Sequence, residues 1–417
     1  MHRSHRTVVC PCYAPPSRLF SVTGTTPSFP AESETYRPPS RRPLGLLCGA
    51  AIVALLICTL WPFNPFPENK VRWVPGTNGI AFNGAGVVAS KTPVSFLGME
   101  GTDSCTLELL LQPASTQSVY TILGFYAPNR SRQFLVRQWT DGLLVSDASV
   151  GAQSLTTATK FDVDHVFHPG QLFLLTIASG LNGTSVYLDG RLAQVFPRFR
   201  ILQDDLSGQI VLGTSPTDYQ PWPGQIRGLA IYSGELGSAD VFRHYRDWTN
   251  QDSTSSRIQP PDLNGAVARY AINEGEGREI HNQVATGPDL EIPPRFSVPH
   301  KAFLQLPWNE FTADRDYAVD LVLNIAGFVP LGVVVYSYWA WAKNPGRAVL
   351  YTVLIGGFLS LAIEVLQAYI PRRVSGMTDI ITNTLGAALG ALIARSSVTR
   401  SVLARLRLIP PPDGSAR

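Results

Sequence analysis

Four stretches of the chain are apolar over the length that a membrane crossing needs. They are "LGLLCGAAIVALLICTLW" at Leu44–Trp61 and segments at about Tyr317–Trp339, Ala348–Tyr369 and Met377–Ala394. At about 1.5 Å per residue, a helix of about 20 apolar residues crosses the hydrocarbon core. Between the first and second stretches the pattern changes to short alternating runs, among them "CTLELLLQP", "YTILGFYA", "QFLVRQW", "QLFLLTIAS", "TSVYLDGRLAQ" and "GQIVLGT". Gly, Pro, Asn and Asp separate these runs, which is the spacing of an antiparallel β-sandwich. "YLDG", Tyr187–Gly190, reads as a strand entering a tight Asp-Gly turn. "WPGQIRGLAIYSGELGSADVFRHYRDW" reads as strand, turn and short helix.

The expected fold class is therefore multidomain, with four transmembrane α-helices and an extracytoplasmic all-β jelly-roll sandwich. Residues 1–43, rich in Pro, Ser, Thr and Arg, read as a disordered cytoplasmic tail, and 44–61 as the first span. The sandwich is expected over 70–256, and a polar linker with a candidate extra strand over 257–316. Spans two to four fall within 317–394, followed by a cytoplasmic tail over 395–417. The long preceding tail and the following "WPFNPFP" favour an uncleaved anchor over a signal peptide at span one.

Composition agrees: 45% hydrophobic and 16% charged residues fit a soluble part joined to several spans. The net charge of +3 is small, and its basic residues flank apolar segments, which points to membrane topology and away from nucleic acid. Of the five cysteines only Cys105 lies in the sandwich region, so that region forms no internal disulfide. Cys10-Pro11-Cys12 is one residue short of CxxC and has no second pair, so no metal site is expected there.

Arg37, Arg41 and Arg42 ahead of span one put the N-terminus in the cytoplasm. Four spans return the C-terminus to the same side, in agreement with Lys343, Arg347, Arg395, Arg400, Arg405 and Arg407. The sandwich then lies outside the cytoplasmic (inner) membrane. Arg372 and Arg373 break the charge rule by falling outside, between spans three and four.

That topology gathers polar groups at one depth. Asp320 and Asn324 open span two, Glu364 and Gln367 close span three, and Asp379 and Asn383 open span four. Spacings of i,i+4 and i,i+3 keep each pair on one helix face. Asp320 and Asp379 also suit exposed helix starts favoured by the dipole, and Asn324 and Asn383 suit interhelical hydrogen bonding. Glu364 is harder to dismiss, because about five residues of helix separate it from the loop and intramembrane ionisable groups are costly and functional. Gly386 and Gly390 form a GxxxG, a spacing that allows close helix approach.

Two resemblances follow from these residues. "VYLDGR" and "GQIRGLAIYSGELGSADVFRHY" make the sandwich similar to the concanavalin A-like, laminin-G-type jelly rolls. That family often binds glycans, sometimes with calcium, which implies a cell-surface polysaccharide as a partner and calcium as a cofactor to test. The glucanase carboxylate pattern of that superfamily is missing, so hydrolysis is not expected. Trp139, Tyr219 and Trp222 are the candidate glycan contacts, with core packing as their alternative. His281 and Glu274 read as a surface hairpin or as ligands.

"WPFNP", "DLVLNIAGFVPLG" and "IEVLQAYIPRRVSGMTDIITNTLGAALG" resemble the VanZ-like membrane family, covering about Asp320–Leu392 plus span one. "RFSVPHKAFLQLP" resumes that unit after the sandwich. The family is named for a protein that lowers sensitivity to the glycopeptide teicoplanin, so the resemblance implies a link to antibiotic resistance and no settled reaction. By motif match it carries Asp320, Asn324, Pro330, Glu364, Gln367, Arg372 or Arg373, Asp379 and Asn383 as site residues. The sequence thus suggests a non-enzymatic envelope protein binding a surface glycan and an anionic or lipid-linked headgroup. Its alternatives are an intramembrane enzyme or carrier acting through Glu364 or Asp379, and a scaffold. Ser375 is the nearest hydroxyl and has no histidine beside it in the sequence.

Overall fold

The computed structural model describes residues 40–96, 103–149, 159–250, 263–311, 315–341 and 345–410. Most of the tail expected over 1–43, with Cys10 and Cys12, lies outside the described residues, as does Lys343. In chain order the helices are α1 (Arg42–Leu60), α2 (Ser238–Asn250), the single turn α3 (Pro307–Glu310), α4 (Arg315–Ala340), α5 (Pro345–Ala368), α6 (Met377–Ala394) and α7 (Ser397–Arg405). The first strands are β1 (Val71–Trp73), β2 (Ile80–Asn83), β3 (Val88–Ser90), β4 (Cys105–Pro113), β5 (Val119–Tyr126), β6 (Arg132–Trp139), β7 (Gly142–Ser149) and β8 (Thr159–Val163). They continue with β9 (Phe173–Gly180), β10 (Gly183–Leu188), β11 (Arg191–Phe196), β12 (Gln209–Leu212), β13 (Pro223–Tyr232), β14 (Ala266–Tyr270), β15 (Glu279–Ile280) and β16 (Leu290–Glu291).

The strands form two eight-stranded sheets. One runs β1-β2-β13-β4-β9-β10-β11 with β14 also on β13, and the other runs β15-β16-β3-β12-β5-β6-β7-β8. The period of two sends Leu107, Leu109 and Leu111 of β4 inward beside Phe173, Leu175 and Ile177 of β9. Phe125, Phe134, Val136, Leu143 and Val145 face them from the second sheet. Each such buried side chain contributes about 1.5–3 kcal/mol of transfer free energy. The Asp-Gly turn has both residues at positive φ, Asp189 at 51° and Gly190 at 75°, and joins β10 to β11. That left-handed pair matches the twist of a two-residue hairpin.

The first sheet is covered on its other face by α2, which buries Val241, His244 and Trp248. This cover explains how Glu108 sits mid-strand and fully buried. Its Oε2 accepts from Trp248 Nε1 at 2.9 Å, and His244 Nδ1 lies 3.1 Å from its Oε1. A buried carboxylate persists only with such partners. Arg269 of β14 lies over the Trp248 ring at 4.2 Å.

The sandwich extends beyond the expected limit at 256. β14 pairs with β13, and β15 and β16 complete the edge of the second sheet. The two-residue strands are too short to leave a periodic signal, which is why the sequence reads that segment as linker.

Four helices are long and apolar enough to cross a membrane: Arg42–Leu60, Arg315–Ala340, Gly346–Ala368 and Met377–Ala394. α4 and α6 meet through glycine. A Cβ on Gly386 would strike the Ile325 carbonyl oxygen, one on Gly390 the Val329 carbonyl oxygen, and one on Gly332 the Ala387 backbone. The GxxxG therefore works as a close-approach surface. Gly390→Val is expected to push the two helices apart, and overpacking of this kind costs about 1–3 kcal/mol. A lowered unfolding midpoint in detergent, with α1 contacts intact by crosslinking, would show it.

The sandwich contacts one end of the bundle, where α1 and α5 finish and α4 and α6 begin. Phe66 meets Tyr369 at a ring separation of 5.9 Å, and the Arg372 guanidinium lies 5.2 Å from the Tyr219 ring. Trp61, Phe63, Phe66, Phe303, Trp308, Phe311 and Tyr369 are all exposed around this end. Exposed aromatics at such a level mark a membrane–water interface.

Candidate functional site

The site is built on the turn between α5 and α6 and on the segment that leads from the sandwich into α4. A helix leaves its last carbonyls without intrahelical partners. Lys301 satisfies those of α5: its Nζ donates to the carbonyls of Gln367 (3.1 Å), Ala368 (3.1 Å) and Ile370 (2.7 Å). Gln305 then runs parallel to Gly376, donating N–H to the Ser375 carbonyl and accepting from Met377 N–H, both at 2.9 Å. Glu310 Oε2 accepts from the Thr378 N–H at 3.2 Å, putting a carboxylate at the N-terminus of α6 where the helix dipole favours it.

The intramembrane polar residues divide into three groups. Asn324 Nδ2 donates to Asp379 Oδ1 at 2.7 Å, linking α4 to α6. Asn383 Nδ2 donates to Ser360 Oγ at 2.9 Å, linking α6 to α5, and Ser360 Oγ reaches the Asp379 carbonyl at 3.5 Å. Glu364, 1% exposed, accepts the Gly376 N–H on Oε2 at 2.9 Å, while its own carbonyl accepts from Ser375 Oγ at 3.0 Å. Gln367 and Arg373 turn instead to α1: Gln367 Nε2 donates to the Thr59 carbonyl at 3.0 Å and Arg373 Nη2 to the Trp61 carbonyl at 2.9 Å.

Asp320 is exposed and makes no hydrogen bond or ion pair among the described residues. Arg372 is exposed over Tyr219. Neither arginine pairs with Glu364 or Asp379; each occupies the rim. Pro330 lies inside α4.

Beside Asp379 three buried side-chain atoms have no partner among the described residues: Thr378 Oγ1, Asn383 Oδ1 and Glu310 Oε1. Asn383 is only 5% exposed. Buried polar groups without partners are uncommon, and a cluster of them suits a bound donor or ordered water. Lys301 and Glu310 were not singled out from the sequence. The signal available was the match of "RFSVPHKAFLQLP" to the membrane unit, which carries no hint of which side chains point inward.

Burial lowers the Lys301 pKa from 10.5 to about 8, the nearby Glu364 opposing the shift. Between those values the folded chain holds fewer protons than the unfolded chain, so stability from this group rises with pH across that window. The unfolding midpoint of the wild type should therefore gain on that of Lys301→Met as pH is raised from about 8 toward 10.5, as followed by thermal unfolding in detergent.

In the sandwich, Trp139 is exposed, with Lys160 Nζ 5.9 Å from its ring centre. Tyr219 is half-buried against Phe296. Trp222 corrects the expectation: it is 0% exposed, lies beside Phe82 and donates Nε1 to Gln138 Oε1 at 2.7 Å. It fills the core and is not a glycan contact. Glu274 Oε1 accepts the His281 N–H at 2.7 Å, a local hairpin bond. Among the described residues no group of three or more His, Cys, Asp or Glu side chains is arranged to hold a metal ion.

Four helices apolar enough to cross a membrane, a polar turn and a docked sandwich support a membrane-embedded protein with a large β-domain. Residues 274–400 match the VanZ/LLP1 family model. The match begins between β14 and β15, ahead of the Arg295 expected from the sequence, and takes in every polar residue of the turn. No curated protein matches the chain.

Solved structures similar to the chain include a putative carbohydrate binding protein from Bacteroides ovatus, at 12% identity over 53% of this chain and 62% of that one, TM-score 0.35. A heptameric SAP-like pentraxin from Limulus polyphemus is similar at 12% identity over 52% and 97%, TM-score 0.33. The receptor binding domain of botulinum neurotoxin C/D mosaic serotype is similar at 16% identity over 43% and 45%, TM-score 0.31. The chain spans about half the length of the botulinum neurotoxin binding domains it matches.

Proposed function

We propose that this is an envelope protein of the inner membrane that engages a lipid-linked or anionic headgroup at the sandwich-facing end of its bundle, while the sandwich holds a cell-surface glycan. Both termini are read as cytoplasmic and the sandwich as extracytoplasmic, from the charges flanking the spans. One observation carries the reading: Asn324, Ser360, Asp379 and Asn383, from three helices, join in one hydrogen-bonded group beside three unpartnered buried atoms. Arg372 and Arg373 stand at the rim, where guanidinium suits phosphate. Trp139, exposed on the sandwich surface, is the side chain proposed to meet the sugar.

Binding of the full chain in detergent to envelope polysaccharides tests the sandwich half; retention of polysaccharide supports it and no retention by any wall polymer defeats it. Glycopeptide tolerance is the cellular readout, expected to fall with Arg372→Gln/Arg373→Gln at unchanged protein level.

A second reading is supported by Glu364, a carboxylate almost fully buried beside the same turn. There it serves an intramembrane enzyme or carrier as general base or proton relay, with Asp379 as the other candidate. Turnover of an envelope lipid in membranes, lost in Glu364→Gln while binding persists, distinguishes it from the binding reading.

A further inference from the structure

Away from the membrane cluster, the sandwich holds a cavity of about 210 Å³ whose walls include Glu68, Arg72, Trp73, Arg278, Pro293 and Pro294. It is lined by β1, the terminal strand of one sheet, and by the segments just before β15 and just after β16 at the edge of the other. The walls are braced. Trp73 Nε1 donates to the Gly277 carbonyl at 3.0 Å, Asn69 Nδ2 donates to the Pro293 carbonyl at 2.8 Å, and Glu68 bridges to Arg295 through backbone. The walls are therefore held by the fold's own contacts.

Its chemistry is specific. Trp73 packs partly on the sandwich core and also lines the cavity, giving a fixed aromatic wall. Arg72 is neutralised by Glu68, Nη2 to Oε1 at 2.6 Å. Arg278 is exposed and its side chain has no hydrogen bond or ion pair among the described residues. One guanidinium thus remains uncompensated beside an indole, and guanidinium recognises carboxylate or phosphate through paired N–H donors. The volume is below the ~300–1,000 Å³ of drug-sized pockets and suits one ring. The cavity is also close to the bundle: Arg295 Nη1 donates to the Phe66 carbonyl at 3.0 Å, and Phe66 meets Tyr369 of the α5–α6 turn.

We propose that this cavity binds a single pyranose unit bearing an anionic substituent, within an acidic glycan held near the membrane surface. The assignment rests on the reading that the sandwich holds a glycan, and gives that reading a site and a ligand chemistry. Trp73 stacks against the ring, Arg278 pairs with the carboxylate or phosphate, and the Arg72–Glu68 pair meets ring hydroxyls.

The test is calorimetric titration of the full chain in lipid nanodiscs with a glucuronic acid oligosaccharide, glucose 6-phosphate, a neutral glucose oligosaccharide and inorganic phosphate. At least one acidic sugar should bind about tenfold or more tighter than the neutral one, a charge-assisted margin of about 1.4 kcal/mol. The two acidic arms tell uronate from sugar phosphate. Arg278→Gln, at an exposed position, should erase the preference without moving the unfolding midpoint. Equal binding of neutral and acidic sugars, equal binding of inorganic phosphate and sugar, or an unchanged preference in Arg278→Gln overturns the assignment. Envelope polysaccharide binding that Arg278→Gln leaves unchanged overturns the cavity and leaves the glycan reading standing. Failure of the wild type to bind any saccharide or envelope polysaccharide overturns both.

Discussion

Glu364→Ala is expected to deplete the protein from the membrane fraction, whereas Glu364→Gln accumulates to near the wild-type level and loses function. The carboxylate sits where the last turn of α5 meets the start of α6, and its Oε2 is the acceptor for the Gly376 N–H. Alanine leaves that buried donor unsatisfied, at about 1–3 kcal/mol. It also opens a void inside the bundle, and truncations of this size cost about 2–5 kcal/mol. Glutamine keeps a carbonyl oxygen for the same N–H and nearly the same volume, so the turn survives. It removes the charge that balances Lys301, which caps the end of α5. Immunoblotting of membranes and thermal unfolding in detergent measure the first effect; glycopeptide tolerance measures the second. Wild-type tolerance in Glu364→Gln would assign Glu364 a purely structural role.

Asp379→Leu is expected to have the second-largest effect, through the bond from Asn324. A hydrogen bond to a charged group contributes about 1.5–3 kcal/mol, and a partner left unpaired in an apolar bundle loses more than the bond itself. Asn324→Leu should cost a similar amount. The double variant should cost less than the sum of the two, with a coupling of about 1–2 kcal/mol in unfolding experiments, because each single change already breaks the same contact. Strict additivity would mean that the 2.7 Å contact contributes nothing. Asp379→Asn keeps an acceptor for Asn324 and therefore the fold. Its expected defect is confined to ligand retention, since the unpartnered Thr378, Asn383 and Glu310 atoms lie beside the charge it removes.

Much of this arrangement was legible in the chain because its signals are periodic or topological. Alternation in "CTLELLLQP" and its neighbours defined the sandwich, and uninterrupted apolar length defined four spans. Counting spans alone put Asp320, Glu364 and Asp379 at one end of the bundle. Lateral placement was not legible. Whether a helix residue faces a neighbour or lipid depends on rotation and packing, so Asp320 ended exposed while Glu364 ended buried. The arginines carried an obvious charge anomaly, yet one stacks on Tyr219 and the other bonds a backbone carbonyl of the chain after α1. Lys301 and Glu310 come from an irregular segment whose partners are backbone groups of the α5–α6 turn, and such contacts leave no pattern in sequence. Trp222 shows the opposite limit: composition alone does not separate a sugar platform from a core indole with a satisfied N–H.

The proposed role of the polar group around Asp379 is to hold a membrane headgroup. Native mass spectrometry of the full chain, released from lipid nanodiscs, tests it most directly. The wild type is expected to retain a bound lipid species that Asp379→Asn and Arg372→Gln/Arg373→Gln each lose, while every variant remains folded, the arginine variant losing only the exposed bond from Arg373 to the Trp61 carbonyl. Retention of the same lipid in both variants, or none in the wild type, would contradict it.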